Sequence, residues 1–481
     1  MIDKKFLKLF IAPDGSGRNQ TNKIFRQVKN TLMSSLSKAN DRPALPPFLK
    51  FDIDHFRIPL NGIGDKITTV VEEILESSMN PASAKYMGHM DSIPALWSIV
   101  GDFIASAMNN NMLSLEMSPY LTQLEYALIS QFADFFGLPK NAGGVMLSGG
   151  TLSNLQALTV ARNVKLGLEK GNVGGLKKQP VIFCSEYAHA SLFKAGMVLG
   201  FGLENVIRVK TDAASRMDID DLKKNISVCL AEGKFPFAIV ATAGTTITGS
   251  IDPLEDLVLV ARRYNLWLHV DAIYGGALIF SEKHRDRLNG IQKADSISFN
   301  PQKWMFVAKT CSMVLFADKN AMISAMQISS PYMKDQTDFR NLGEISVQGT
   351  RHADVLKLYL TMLSFGRNGF SAMIAHSFAV KENFLVLIAS RKYLEVCTTG
   401  DTNIICFRIA GHSPAEGDRI MEKLYDILLS KGYFLSLPIY KGRSWLRCVL
   451  LNPFLTESTL VSLFEHIDAF YSTAVSNTKG Y

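Results

Sequence analysis

Two segments place residue types that act on amines and carbonyls at the ends of apolar runs. In LWLHVDAIYGG, residues 266–276, an apolar strand delivers Asp271 at its carboxyl end. Open α/β sheets hold ligands at such ends, and a carboxylate buried there is costly unless it is paired or ligating. In SISFNPQKWMF, residues 296–306, a second strand runs into an Asn300-Pro301 turn and then Lys303, followed by Trp304. A lysine among apolar neighbours is partly desolvated, which lowers its pKa and favours the neutral amine that Schiff-base chemistry needs. Each residue also has an ordinary reading, Asp271 as a turn cap and Lys303 as a side chain whose stem packs on Trp304 while its head reaches water.

A third segment, GGVMLSGGTLSNLQAL (143–158), feeds a strand into Ser148-Gly149-Gly150-Thr151 and then a helix. Glycines let backbone N–H groups approach an anion there, and the hydroxyls and helix dipole add to the site. The run is neither GxGxxG nor a Walker A loop, which disfavours dinucleotides and nucleoside triphosphates. His189 follows the strand-like VIFCSEYAH and could stack on a planar ligand or be a satisfied core residue. Thr245 and Thr246, in VATAGTTITG, end another strand and offer hydroxyls to the same crevice. An anion cradle, a strand-end carboxylate, an amine and a stacking group form the set that pyridoxal phosphate requires.

The elements that must position these residues alternate in the α/β manner. Strands are expected at 144–147, 180–185, 206–210, 237–243, 266–270, 296–299 and 311–316, with helices between most of them. Continuous apolar strands imply a mostly parallel sheet covered by helices on both faces. A polar stretch of low periodicity follows residue 316, then a long helix at about 351–389, broken near Gly366, and a small α+β region. Three segments are expected: a helical arm over 1–75, a large α/β domain over 76–355, and the long helix with a small domain over 356–481. The arm's apolar residues lack a core of their own.

Composition narrows the class further. A chain of 481 residues with 47% hydrophobic content can bury a large core. The net charge of +7 is spread in short clusters, so no nucleic-acid partner is expected. Six cysteines form no CxxC and no zinc spacing, which reads as reduced thiols, no metal and a cytoplasmic protein. No segment reads as a secretory signal or as a membrane span, and no membrane partner is expected.

HVDAIYGG followed by FNPQKW resembles the group II pyridoxal-phosphate-dependent amino acid decarboxylases, whose relatives act on aromatic amino acids, histidine, glutamate and cysteine sulfinate. The resemblance runs from about residue 81 to the end. It implies a fold type I transferase-like architecture with a seven-stranded sheet, a bound pyridoxal 5′-phosphate and a homodimer with shared active sites. It also implies roles. Lys303 would form the Schiff base, Asp271 would pair with the pyridine nitrogen, and His189 would stack on the ring and handle protons. Gly150, Thr151, Asn300 and Gln302 would hold the phosphate, with Thr246 close to the cofactor. Tyr332, in SSPYMKDQTDF, would be the lid tyrosine that protonates Cα. The chain departs from the family pattern at Gln302, where histidine is usual, and at Ile273, where alanine is usual. The segment YMGHMDSIPALW supplies Tyr86, His89, Met90 and Trp97 as an apolar substrate pocket. That favours decarboxylation of an aromatic or large apolar L-amino acid. The alternatives are glutamate, cysteine sulfinate, 2,4-diaminobutyrate or an aliphatic amino acid, or a fold type I aminotransferase using Arg443 or Arg447 as a carboxylate clamp.

Overall fold

The structure is a computed structural model and describes residues 7–47, 52–168, 171–329 and 339–474. The chain packs as two compact units, one of residues 1–87, 423–435 and 454–481, the other of 88–422 and 436–453. This division is discontinuous in sequence and differs from the three consecutive segments that the texture of the sequence suggests.

The smaller unit contains α1 (Arg18–Ser37) and α2 (Ile67–Ser77). Neither helix buries a single side chain, and Ile24, Phe25, Val28, Ile67 and Ile74 are exposed. One small apolar cluster of the unit joins Ala44, Tyr86 and Phe434, and Leu460, Leu463, Phe464 and Ile467 are buried as well.

The larger unit begins with α3 (Leu96–Met108) and α4 (Pro119–Phe135), the latter opening on proline at its first turn, where a missing N–H costs nothing. The alternation follows as β1 (Gly143–Leu147), α5 (Gly150–Leu166), β2 (Pro180–Ser185), α6 (Ser191–Val198), β3 (Val206–Val209), α7 (Ile219–Ala231), β4 (Phe235–Thr242), α8 (Leu254–Arg263), β5 (Trp267–Asp271), β6 (Ser296–Phe299) and β7 (Ser312–Phe316). Local chemistry sets the helix ends. Asp218 accepts from the N–H groups of Asp220 and Asp221 to cap α7, satisfying donors that lack a helical partner. Helix α8 carries Glu255 and Asp256 in its first turn and Arg262 and Arg263 in its last, both matched to the helix dipole.

The seven strands order as β1-β7-β6-β5-β4-β2-β3. Strands β6, β5, β4, β2 and β3 are parallel, and β7 runs antiparallel between β1 and β6. Every residue of β2, β5, β6 and β7 is buried, as expected for strands covered on both faces.

Beyond β7 lie α9 (Lys319–Met326) and α10 (Asp354–Ala389). Gly366, at φ 59° and ψ 179°, interrupts α10, a conformation that needs glycine. By length and hydropathy alone α10 would pass for a membrane span, which corrects the expectation that no segment would. Its buried face nevertheless carries Lys357, paired with Asp354 at 2.9 Å and Asp102 at 3.0 Å. It also carries Lys381, which donates to the carbonyls of Gly400 and Thr402. These partners make it a core helix of the folded unit. Next come β8 (Leu394–Val396), β9 (Ile404–Ile409), α11 (Pro414–Ser430), the hairpin β10 (Ile439–Tyr440) and β11 (Arg443–Ser444), and β12 (Leu446–Val449), with β12-β9-β8 forming a second sheet. The last helix, α12 (Glu457–Ala474), belongs to the smaller unit.

Candidate active site

The parallel strands deliver their last residues side by side. Thr242 ends β4 opposite Asp271, which ends β5 opposite Ser298 of β6. A cavity of about 390 Å³ opens over these ends. Its lining includes Met90, Ser148 to Leu152, His189, Thr242, Gly244, Thr246, Asp271, Ile273, Tyr274, Asn300, Gln302 and Lys303. The structure thus brings together Lys303, Asp271, His189, Gly150, Thr151, Thr246, Asn300 and Gln302, from five separate chain segments. Tyr332 lies outside the described residues.

Asp271 is nearly fully buried, and both its oxygens are engaged. Oδ1 accepts from the Ile273 N–H at 3.2 Å and Oδ2 from Asn154 Nδ2 at 2.8 Å. Lys303 donates to the Met90 sulfur at 3.5 Å. Desolvation holds its pKa below that of an ordinary lysine, against the opposing charges of Asp271 and Asp91. The neutral amine needed for attack on an aldehyde is therefore enriched. Desolvation also lowers the pKa of His189, against the pull of Asp271.

The anion cradle is built from donors. Helix α5 has no side-chain cap at its N-terminus, so its first N–H groups remain available. Asn300 Oδ1 is taken by the Ser312 hydroxyl, and Gln302 Oε1 by the Cys311 N–H. Both amides therefore keep their NH₂ ends for an anion, and Asn300 Nδ2 lies near Gly150. The glutamine thus can offer an uncharged donor where the family pattern has histidine, as its Oε1 is held by the Cys311 N–H. Thr242 Oγ1 is buried and has no partner among the described residues, an orphan that a bound group would satisfy. Of the two threonines, Thr246 lines the cavity, whereas Thr245 Oγ1 bonds Thr248 Oγ1 at 2.8 Å. These features fit pyridoxal phosphate: donors at one end, a fixed carboxylate and an amine at the other.

The expected substrate pocket assembles only in part. Met90 lines the cavity, but His89 places Nδ1 3.3 Å from Arg447, and Trp97 stays half exposed in the first turn of α3. Tyr86 lies in the smaller unit, with its ring 5.4 Å from Phe434 and its hydroxyl 3.0 Å from the Met79 sulfur. Segment 88–95 is irregular, so its side chains do not share a face. The arginines considered as a carboxylate clamp are also committed. Arg447 donates to the carbonyls of Thr246 and Gly88, each at 2.6 Å, and Arg443 lies 3.8 Å from Asp418. Burial pushes the Cys311 thiol well above its ordinary pKa, which leaves it inert.

Several polar residues escaped the sequence reading: Thr242 in the cavity lining, and Asn154, Ser191 and His269 behind it. A buried asparagine one helical turn after Gly150 was the available signal.

Comparison with known proteins places this geometry. The family described as "Pyridoxal-dependent decarboxylase conserved domain" matches residues 55–410. An L-2,4-diaminobutyrate decarboxylase of Rhizobium meliloti (strain 1021) is 33% identical over 426 residues, 86% of this chain and 84% of that protein. A solved glutamate decarboxylase domain of a diaminobutyrate-pyruvate transaminase and L-2,4-diaminobutyrate decarboxylase from Vibrio parahaemolyticus aligns with a TM-score of 0.86 at 25% identity, covering 98% of this chain and 99% of that one. Oryza sativa TDC, solved with PLP and tryptamine, aligns with a TM-score of 0.89 at 23% identity over 96% and 99% of the two chains, a likeness of fold. With the matched region spanning the cradle, Asp271 and Lys303, the chain belongs to the pyridoxal-dependent decarboxylases and is a pyridoxal-phosphate-dependent amino acid decarboxylase.

Proposed function

We propose that the amino acid decarboxylated is L-2,4-diaminobutyrate or a close diamino homologue. The observation that carries this reading is the 33% identity to an L-2,4-diaminobutyrate decarboxylase over 86% of the chain. Pyridoxal phosphate supplies an electron-accepting ring for the pair left when carbon dioxide departs. The protein's own residues prepare that step. Lys303 offers an amine whose burial favours the neutral form, Asp271 sets a carboxylate at the strand end, and the α5 terminus with Asn300 and Gln302 orients an anionic group.

The cavity lining supports a small polar substrate. Among the described residues it contains no arginine to receive a side-chain carboxylate. Asp91 lies close enough for its charge to act on Lys303 and is itself paired with Lys309. The aromatic expectation rested on Tyr86, His89, Met90 and Trp97, of which only Met90 lines the cavity. We also infer a homodimer, in which a second copy covers the exposed apolar faces of α1 and α2.

The test is carbon dioxide release by the purified protein with pyridoxal phosphate, across diaminobutyrate, tyrosine, tryptophan, phenylalanine, glutamate and cysteine sulfinate. Release from diaminobutyrate with formation of the corresponding diamine is expected. Release from an aromatic amino acid alone would restore the earlier expectation. Keto acid without carbon dioxide would point to transamination.

A further inference from the structure

Behind the cavity floor, buried polar side chains form a hydrogen-bond chain whose direction can be read from one end to the other. Trp267 Nε1 lies 2.8 Å from Ser296 Oγ, and Ser296 Oγ lies 2.9 Å from His269 Nδ1. His269 Nε2 lies 3.0 Å from Asn154 Oδ1, with Ser298 Oγ a weaker second neighbour at 3.4 Å. Asn154 Nδ2 reaches Asp271 Oδ2 at 2.8 Å and Ser191 Oγ at 2.9 Å. Ser191 Oγ lies 2.9 Å from His189 Nδ1, and the Ser191 backbone N–H donates to the same nitrogen at 3.1 Å.

Donor and acceptor inventories leave one assignment. An indole nitrogen only donates, and a carboxylate only accepts. Trp267 therefore donates to Ser296, whose own proton is free to go to His269 Nδ1. At the other end, the Asp271 carboxylate requires the NH₂ of Asn154, which leaves Asn154 Oδ1 facing His269. His269 must then carry its proton on Nε2 and accept at Nδ1, which agrees with the Ser296 donor. The remaining Asn154 proton goes to Ser191 Oγ, and the Ser191 hydroxyl can only donate to His189 Nδ1, because that nitrogen is fixed as an acceptor. That nitrogen already receives the Ser191 N–H and cannot carry a proton itself. His189 is left with its proton on Nε2.

We infer that Asn154 is a positioning residue at the branch point of this one-way chain, fixing His189 as a neutral ring with its proton on Nε2 while holding the Asp271 carboxylate in place. His189 accordingly acts at the cavity as a hydrogen-bond donor through Nε2 and not as a base through Nδ1. Desolvation supports the neutral state of both rings, lowering His189 and bringing His269 down to about 4. The charged groups acting on His189 are Asp271, Lys303 and Lys194, and only the first favours protonation. The inference rests on hydrogen-bond partners alone and is independent of which amino acid is the substrate.

The test is nitrogen NMR of the full-length holoenzyme labelled at histidine, with His189 and His269 assigned by His189→Gln and His269→Gln. Both rings are expected in the neutral form protonated at Nε2 near pH 7. A proton on Nδ1 of either ring, or an imidazolium at that pH, would overturn the chain. Ser191→Ala removes one donor to the neutral form of His189 and is expected to raise its titration midpoint by roughly 0.5–1 pH unit, leaving His269 unmoved. Asn154→Asp cannot donate to Ser191 or Asp271 and is expected to shift both histidines upward. Asn154→Ser, too short to reach its partners, is the milder break and is expected to shift both in the same sense. A folded Asn154 variant in which His189 keeps its native midpoint would overturn the positioning role.

Discussion

Ile273 and Gly150 share one wall of the cavity, and the larger side chain at 273 fits because residue 150 has none. A Cβ built on Gly150 runs into Ile273 Cδ1 and comes to 3.3 Å from Asn300 Nδ2. The departure from the family's usual alanine at 273 is thus matched by an absence of side chain opposite. Gly150→Ala should overpack this wall, which typically costs about 1–3 kcal/mol, and lower affinity for pyridoxal phosphate by roughly 10-fold or more. Gly150→Ala with Ile273→Ala should recover most of that loss, giving a coupling energy of about 1 kcal/mol or more in a double-mutant cycle. Fluorescence titration of the cofactor into the four proteins measures it, and additive losses would refute the shared wall.

The charge of Asp91 raises the pKa of Lys303 while burial lowers it further. Asp91→Asn should therefore increase the neutral-amine fraction near pH 7. Cofactor capture by the apoprotein, followed by the growth of visible absorbance, should quicken by a few-fold. Its rate should reach a plateau at lower pH than in the native chain. A slower or pH-shifted-upward profile would reverse the assigned sign.

Arg351 and Glu125 form an ion pair at 3.0 Å with side chains only 5% and 2% exposed. Arg351 also donates to the carbonyls of Met146 and Met112, while Glu125 accepts from the Met146 N–H. Replacing one member strands a buried charge, so Arg351→Met should destabilise the fold by about 3–5 kcal/mol. Urea denaturation would show a lowered midpoint. A near-native midpoint would mean that water reaches the pair.

Lys381 is buried on α10, and desolvation brings its pKa to about 8 from 10.5. The unfolded chain then binds more protons than the folded one between about pH 8 and 10.5, so this group's contribution to stability rises with pH across that window. At neutral pH both states are protonated and the penalty is fully present. Relative to Lys381→Met, the native chain should gain about 1–3 kcal/mol between pH 8 and 10. Parallel stability curves for the two proteins would contradict this.

Much of the fold was readable because each element announces itself locally. Apolar runs such as WLHVD and SMVLF end where polar or turn residues begin, and most sequence boundaries lie within a few residues of the structure. The short strands β8, β10 and β11 were not legible, because two or three residues carry no periodicity. The sequence places a helix only after Ser148-Gly149-Gly150-Thr151, but α5 already starts at Gly150, where glycine's poor helix propensity hides a turn that the site uses.

The order of residue types along the chain determined the chemistry by itself. A strand-end aspartate, a lysine after a second strand and a glycine-rich turn before a helix are each set by covalent neighbours. Only tertiary structure decided what stands around them. Asn154 meets Asp271, Ser191 and His269 across sequence gaps of 117, 37 and 115 residues. The YMGHMDSIPALW segment sends just Met90 to the cavity, because an irregular backbone gives neighbouring side chains no common face. Sequence spacing controls direction within an element, but which elements meet depends on how the sheet and helices bury their apolar faces together.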